Sequence, residues 1–274
     1  MKEMYDVLII GGGVVGSAMA REMSRYRLKI GVLEKNLDVC NETSGRNSGV
    51  VHGGFAYDRG SLKAKLCVEG NKMMGDLAKE LDFHFIRCGK VLVGNTEEDM
   101  ETLKRTMEQG KDNGATNLEL IDEKRLHELV PAVVGKFAMF SHNSGIVDPF
   151  GYTIALAENA HANGVEYHFG CEVTAIRRED DDTYEITTTK GNFKTRWVVN
   201  CAGLGCGKIS DMLGITGYRI IGSKGDYIIL DKLHRTASSY ACLSGSKQHL
   251  YGNSCEQNTT DGNVIIGPNA DMVT

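Results

Sequence analysis

Three glycines and one acid near the start of the chain carry the clearest chemistry in the sequence. Gly11, Gly13 and Gly16 fall within Gly11-Gly12-Gly13-Val14-Val15-Gly16. Glu34 follows the first of them at about the 20-residue spacing that dinucleotide sites use. Gly11 permits a tight turn, Gly13 lets backbone approach a pyrophosphate, and Gly16 lets a helix lie close to a sheet. Free N–H groups and the positive dipole end of that helix suit phosphate. A carboxylate at 34 accepts hydrogen bonds from ribose hydroxyls and repels a 2′-phosphate, which disfavours NADP.

These residues work only if local structure positions them. Residues 5–10 form a short apolar strand that runs straight into the glycines. A helix follows through residue 26, then a second strand at 30–33 that ends on Glu34. Strand, glycine turn, helix, strand and terminal acid together form the dinucleotide-binding βαβ fingerprint.

Composition bounds the rest. The chain has 274 residues, 41% hydrophobic and 24% charged, with a net charge of −5. That suits a soluble α/β protein of one large or two interleaved domains, and it argues against nucleic acid as the main partner. The eight cysteines contain no C-x-x-C pair. Reduced, mostly buried thiols and a cytoplasmic location are expected. The first strand begins almost at Met1, no signal peptide is visible, and no apolar run is long enough to span a membrane.

Along the chain, residues 61–81 read as a long helix whose apolar positions are Leu62, Leu66, Met73, Leu77 and Leu81, with Met73 and Met74 as core filler. A strand is expected at 90–94, and Thr96 caps a helix bearing Met100, Leu103 and Met107. A short helix at 122–130 stops at Pro131. Another begins at Pro149 or Phe150 and ends before Gly164. Strands follow at 165–169, 172–176, 184–188 and 193–199, a meander whose acidic run Glu179-Asp180-Asp181-Asp182 makes a solvated turn rather than a metal site. A helix is expected after 201–203, ending at 213, and later strands at 225–230 and 264–266.

Several segments resemble the D-amino-acid oxidase superfamily of FAD enzymes. They are Thr43-Ser44-Gly45-Arg46-Asn47-Ser48-Gly49-Val50-Val51-His52-Gly53-Gly54, Ser61-Leu62-Lys63-Ala64-Lys65-Leu66-Cys67, Gly145-Ile146-Val147-Asp148-Pro149, Asn200-Cys201-Ala202-Gly203 and Ile266-Gly267-Pro268-Asn269-Ala270. Within the superfamily the chain is most similar to the branch of L-2-hydroxyglutarate dehydrogenases and anaerobic-type glycerol-3-phosphate dehydrogenases. The fold expected is α/β: a Rossmann-like, glutathione-reductase-type FAD-binding domain with a β-meander, interleaved with a mixed-sheet α+β substrate domain. The FAD part is expected at 1–85 and 145–215, the substrate part at 86–144 and 216–274.

The resemblance implies FAD rather than NAD, with Gly11, Gly13 and Gly16 at the pyrophosphate and Glu34 at the adenosine ribose. Lys35 would lie beside adenine, and the Val173 backbone would meet it. Thr43, Ser44, Asn47 and Ser48 would line the path to the flavin, and Ala202 and Gly203 would form a small-residue turn beside the cofactor. His52 would sit in the loop reaching the isoalloxazine ring, either as the base for a substrate hydroxyl or as a hydrogen-bond partner of the flavin. Lys224 and Arg219 are candidate cations for an anionic substrate; His234 and His249 are weaker base candidates.

The implied reaction is oxidation of a small anionic 2-hydroxy compound, with hydride passing to flavin N5 and electrons leaving to a partner protein or quinone. Membrane association is expected only through such partners. Glycerol-3-phosphate is favoured, because residues 154–160 and 163–166 look closest to the anaerobic clostridial-type relatives. L-2-hydroxyglutarate, an amine or amino acid, and a non-catalytic FAD-binding subunit are the alternatives. Two departures stand out. Ala56 occupies a position where membrane-type glycerol-3-phosphate dehydrogenases carry arginine, so phosphate binding by that route is unsupported. The chain also stops at Thr274, where family members continue, so it is expected to be a fragment that holds FAD poorly.

Overall fold

The computed structural model describes residues 4–131, 133–231, 241–244, 255–269 and 271–273. They divide into two units, 1–47 with 149–222 and 48–148 with 223–273.

The first unit is built on a six-stranded sheet. Its strands run in the order Val173–Arg178, Tyr184–Thr188, Gly191–Asn200, Met4–Ile10, Ile30–Leu33, Glu166–His168. The last four are mutually parallel, and the first three form an antiparallel meander. Strand Met4–Ile10 is apolar along nearly its whole length because both of its faces are covered. Val7 and Ile9 pack with Ile30, Val32, Ala20 of helix Val14–Met23 and Ala160 of helix Pro149–Ala162. Leu8 and Ile10 pack on the other face with Leu33, Ile176, Ile186 and Ile209. Full burial of such a side chain stabilises by roughly 1.5–3 kcal/mol. This α/β architecture is the expected one. The acidic run forms the hairpin turn at the end of the meander, where Asp181 accepts from Thr183 and pairs with Lys194.

The second unit contains a mixed sheet in the order Ala241–Ser244, Lys90–Gly94, Phe137–Ser141, Leu118–Asp122, parallel at its first pairing and antiparallel at the others. Val91 and Val93 pack against Leu126 and Leu129 of helix Glu123–Leu129. Leu92, on the opposite face, meets Leu103 of helix Glu97–Asp112, Val68 of helix Leu62–Leu81, and Phe55. It also holds two three-stranded antiparallel sheets, Val50–Val51, Gly145–Val147 and Phe85–Ile86, then Ile228–Leu230, Val264–Gly267 and Cys255–Asn258, and strand Asp271–Val273 pairs with Gly222–Lys224.

Residues 48–85 cluster with the second unit, where Val68 and Phe55 share a core with Leu92 and Leu103. Two secondary-structure expectations change. Helix Leu62–Leu81 buries Ala64, Val68, Asn71 and Ala78, whereas Leu62, Leu66 and Met73 are 68%, 53% and 63% exposed. Periodicity points to the large side chains, but the buried face is the one that carries Ala64, Val68, Asn71 and Ala78. The strand expected at 225–230 is confined to Ile228–Leu230, and a separate strand, Gly222–Lys224, precedes it.

Candidate functional site

In the first unit the carboxyl ends of three parallel strands converge on the glycine elbow. The N–H of Gly11 donates to the Leu33 carbonyl at 2.9 Å, and the N–H of Cys201 donates to the Ile10 carbonyl at 2.9 Å. Such strand ends are where open α/β sheets bind ligands. Gly11 has φ +106°, and a Cβ there would lie 2.5 Å from the Cys201 carbonyl oxygen. A Cβ at Gly16 would collide with the Gly11 carbonyl oxygen. The turn therefore closes only as bare backbone.

Glu34 is buried at the end of the second strand. Its Oε2 accepts the N–H of Gly12 at 2.6 Å and its Oε1 accepts the N–H of Asn36 at 2.8 Å. Each oxygen retains a second acceptor site, which is the chemistry that ribose hydroxyls require. Helix Val14–Met23 starts at Gly13 with no acid in its first turn and no side-chain cap from Gly13. Ser44 Oγ accepts the Val14 N–H at 3.0 Å across the loop. Asn47 Nδ2 donates to the carbonyls of Thr43 and Ser44, bracing the short 3₁₀ turn Thr43–Gly45. The bare elbow, the fixed carboxylate and the acid-free helix start fit the pyrophosphate and ribose of a dinucleotide.

The other expected cofactor residues are distributed as follows. The Lys35 ammonium is paired with Glu42 at 2.9 Å, and that bond raises its pKa. Val173 is buried and opens the meander beside a register shift at Ala175. Ala202 N–H donates to Asn200 Oδ1 at 3.3 Å, and Gly203 begins the 3₁₀ turn Gly203–Gly205 with φ +56°. Ser48 begins the second unit.

His52 directly follows strand Val50–Val51 in the second unit. Its ring faces Tyr57 edge-on at 6.4 Å between centroids, and Lys63 Nζ lies 4.5 Å from the Tyr57 centroid. The imidazole pKa is pushed down to about 3, first by desolvation and then by the Lys90 and Lys63 ammonium groups. The residue is nevertheless exposed at the surface. Water then restores part of the lost solvation, and the firm consequence is a neutral ring at neutral pH. Burial also raises the pKa values of Tyr57 and Cys67, so both stay protonated.

Lys224 is paired with Asp226 at 3.0 Å, and Arg219 is exposed in the first unit. His234 and His249 lie outside the described residues. Sequence reasoning did not single out Lys63 and Lys90, whose ammonium groups help lower the His52 pKa, although Lys63 lies in the 61–67 segment. It also missed Asn71, a polar residue on the buried face of its helix. Among the described residues no cluster of His, Cys, Asp or Glu is arranged to hold a metal.

Sheet, meander and elbow together define a dinucleotide-binding oxidoreductase scaffold. The chain belongs to the family of FAD dependent oxidoreductases (DAO), which matches residues 6–273. It is 37% identical over 270 residues to a glycerol 3-phosphate dehydrogenase of Caloramator mitchellensis, covering 98% of this chain and 56% of that protein. It is 33% identical over 286 residues to the mitochondrial L-2-hydroxyglutarate dehydrogenase of Nematostella vectensis, covering 98% and 62%. Among solved structures it is similar to the dithionite-reduced L-alpha-glycerophosphate oxidase of Mycoplasma pneumoniae with FAD bound, with TM-score 0.92 and 26% identity, over 99% of this chain and 73% of that one. The chain thus spans about three-fifths of the length of these curated relatives.

Proposed function

We propose that this chain is the FAD-binding and substrate-recognising part of a dehydrogenase that oxidises a small anionic 2-hydroxy compound, with glycerol-3-phosphate as the first candidate. The observation that carries this reading is His52 facing Tyr57 at 6.4 Å, with Lys63 Nζ 4.5 Å from the same tyrosine ring; burial and the Lys90 and Lys63 ammonium groups lower the imidazole pKa. A neutral imidazole accepts a hydroxyl proton, and nearby cations favour an anionic substrate and the alkoxide that proton loss creates. FAD, when bound, supplies the hydride acceptor at flavin N5. In the protein's half of the reaction, His52 takes the hydroxyl proton while the cations hold the phosphate or carboxylate. Gly11, Gly13, Gly16 and Glu34 hold the pyrophosphate and ribose; Lys35, Thr43, Ser44, Asn47, Ser48, Val173, Ala202 and Gly203 surround the rest of the cofactor. Lys224 and Arg219 are secondary candidates for the substrate's anion.

The similarity to a glycerol 3-phosphate dehydrogenase favours the phosphate; the L-2-hydroxyglutarate dehydrogenase relatives make that hydroxy acid the second reading. Electrons pass on to a protein or quinone acceptor, and any membrane association runs through that partner. Six free cysteines among the described residues suit the cytoplasm. No described helix is long and apolar enough to cross a membrane.

The test is anaerobic flavin bleaching of the full-length, FAD-loaded protein by glycerol-3-phosphate, L-2-hydroxyglutarate and a panel of amino acids. Reduction by the first supports the reading. Reduction by the second alone moves the substrate to the hydroxy acid. Reduction by amino acids alone, with ammonia released, overturns it in favour of an amino-acid oxidase, and no reduction by any of them points to a non-catalytic FAD module.

A further inference from the structure

Asn71 stands in the middle of helix Leu62–Leu81, at 5% exposure, on the face that also buries Val68 and Ala78. Asparagine is a poor helix-interior residue, less favourable than alanine by up to about 0.7 kcal/mol. Its amide is fully employed. One Nδ2 proton goes to the His52 carbonyl at 3.0 Å and the other to the Asn143 carbonyl at 2.9 Å. Its Oδ1 accepts from Arg87 Nη1 at 3.1 Å. Arg87 also donates to the Asn71 carbonyl at 3.1 Å and to the Asn143 carbonyl at 2.6 Å, so guanidinium and amide form one clamp.

The loop after His52 is held in the same manner. Asn113 Nδ2 donates to the carbonyls of Gly54 and Tyr57 at 3.2 and 2.7 Å, and Gln109 Nε2 to that of Phe55 at 3.4 Å. Phe55 itself is locked in the core beside Val68 and Leu103. Among the described residues, the side-chain donors that reach the His52 carbonyl are those of Asn71 and Cys67, and the thiol is the longer at 3.5 Å.

We propose that Asn71 is a positioning residue for His52: its amide fixes the His52 main chain and so holds the imidazole in its place beside Tyr57. The kinetic side of this inference rests on the reading of His52 as the base; the spectroscopic side does not.

Asn71→Asp and Asn71→Ala test it in the full-length, FAD-loaded protein. Asp keeps the shape and the acceptor for Arg87 but loses both donors and turns a carboxylate toward two carbonyls. Both variants are expected to lower the limiting rate of flavin reduction about 100-fold while shifting half-saturation by substrate less than about 3-fold. The NMR titration of the His52 ring is expected to move up toward its ordinary value of about 6.5, as the ring relaxes into water. A purely helical role predicts the opposite for Ala, the better helix former. A wild-type rate with an unmoved titration in either variant overturns the proposal.

Arg87→Met, at an exposed position, covers the case in which the buried variants fail to fold. It is expected to cost about 10-fold in reduction rate, with the same direction of titration shift; no change in either overturns the proposal. If no substrate reduces the wild type, the assignment of His52 as base fails. The titration in Asn71→Ala, the variant that adds and removes no charge, then decides this inference by itself.

Discussion

Glu34 takes the N–H of Gly12 on one carboxylate oxygen at 2.6 Å, and through the other it holds the N–H of Asn36 at 2.8 Å. The acid at the end of the second strand is thus bonded to the turn at the end of the first, and elbow and carboxylate form one hydrogen-bonded unit. Glu34→Gln replaces an acceptor by a donor, so one of the two N–H groups must face an NH₂. An unsatisfied buried donor costs about 1–3 kcal/mol. The expected outcome is FAD binding weakened by roughly 5- to 150-fold in fluorescence titration of the apoprotein. Unchanged affinity would remove Glu34 from the ribose role.

Gly16→Ala probes the elbow from its other side. The added methyl would collide with the Gly11 carbonyl oxygen, a backbone atom that cannot swing away. Overpacking of this kind costs typically about 1–3 kcal/mol, and relief requires the helix to back off from the strand end. The variant is expected to melt several degrees lower and to lose the stabilisation that added FAD confers on the wild type. Melting curves with and without FAD check both; a variant that melts like the wild type, and gains as much from FAD, contradicts the close approach.

The nucleotide elbow was legible in the sequence because it is local: two strands, a helix and four chemically constrained residues fall within the first 34 positions. Strand Phe137–Ser141 was not, since its pairing with Lys90–Gly94 and Leu118–Asp122 is set by distant partners. The helix at 61–81 was found, but its inward face was misassigned. Periodicity favoured Leu62, Leu66 and Met73, while the buried face carries Ala64, Val68, Asn71 and Ala78. That error hid the His52 clamp, because a buried asparagine shows its purpose only once the carbonyls around it are placed. The two lysines that help lower the His52 pKa were missed for a related reason: Lys63 and Lys90 lie on separate elements that only folding brings together.

A stability change confined to the second unit gives a contrast to the elbow variants. Thr96 Oγ1 accepts the Asp99 N–H at 3.2 Å, while Asp99 Oδ2 accepts the N–H groups of Asn95 and Thr96 at 3.0 and 3.1 Å. This reciprocal cap starts helix Glu97–Asp112, whose Leu103 is fully buried. Asp99→Ala removes the acceptor of two N–H groups and an acid from the first turn, at a cost of about 1–2 kcal/mol. The expected result is a lower melting temperature with FAD affinity as in the wild type. A parallel loss of FAD affinity would count against treating the elbow as independent of this helix.

The lowered pKa of His52 sets the sign of a pH effect. Folding favours the neutral ring, with a folded pKa of about 3 against an ordinary 6.5. Between those values the unfolded chain binds the extra proton, so stability falls as pH drops through this window and is flat above it. Exposure of the residue at the surface softens the effect without reversing it. His52→Gln removes this contribution while leaving other titrating groups in place. The difference in melting temperature between wild type and variant is therefore expected to be constant above about pH 7 and to shift in the variant's favour as pH falls below 6. For catalysis, a base that stays neutral keeps the limiting flavin-reduction rate level from pH 8 down past pH 6, where an ordinary imidazole would be losing it. An acid limb with its midpoint near 6.5, together with a pH-independent stability difference, would show that the ring is fully solvated and that Lys63 and Lys90 do not act on it.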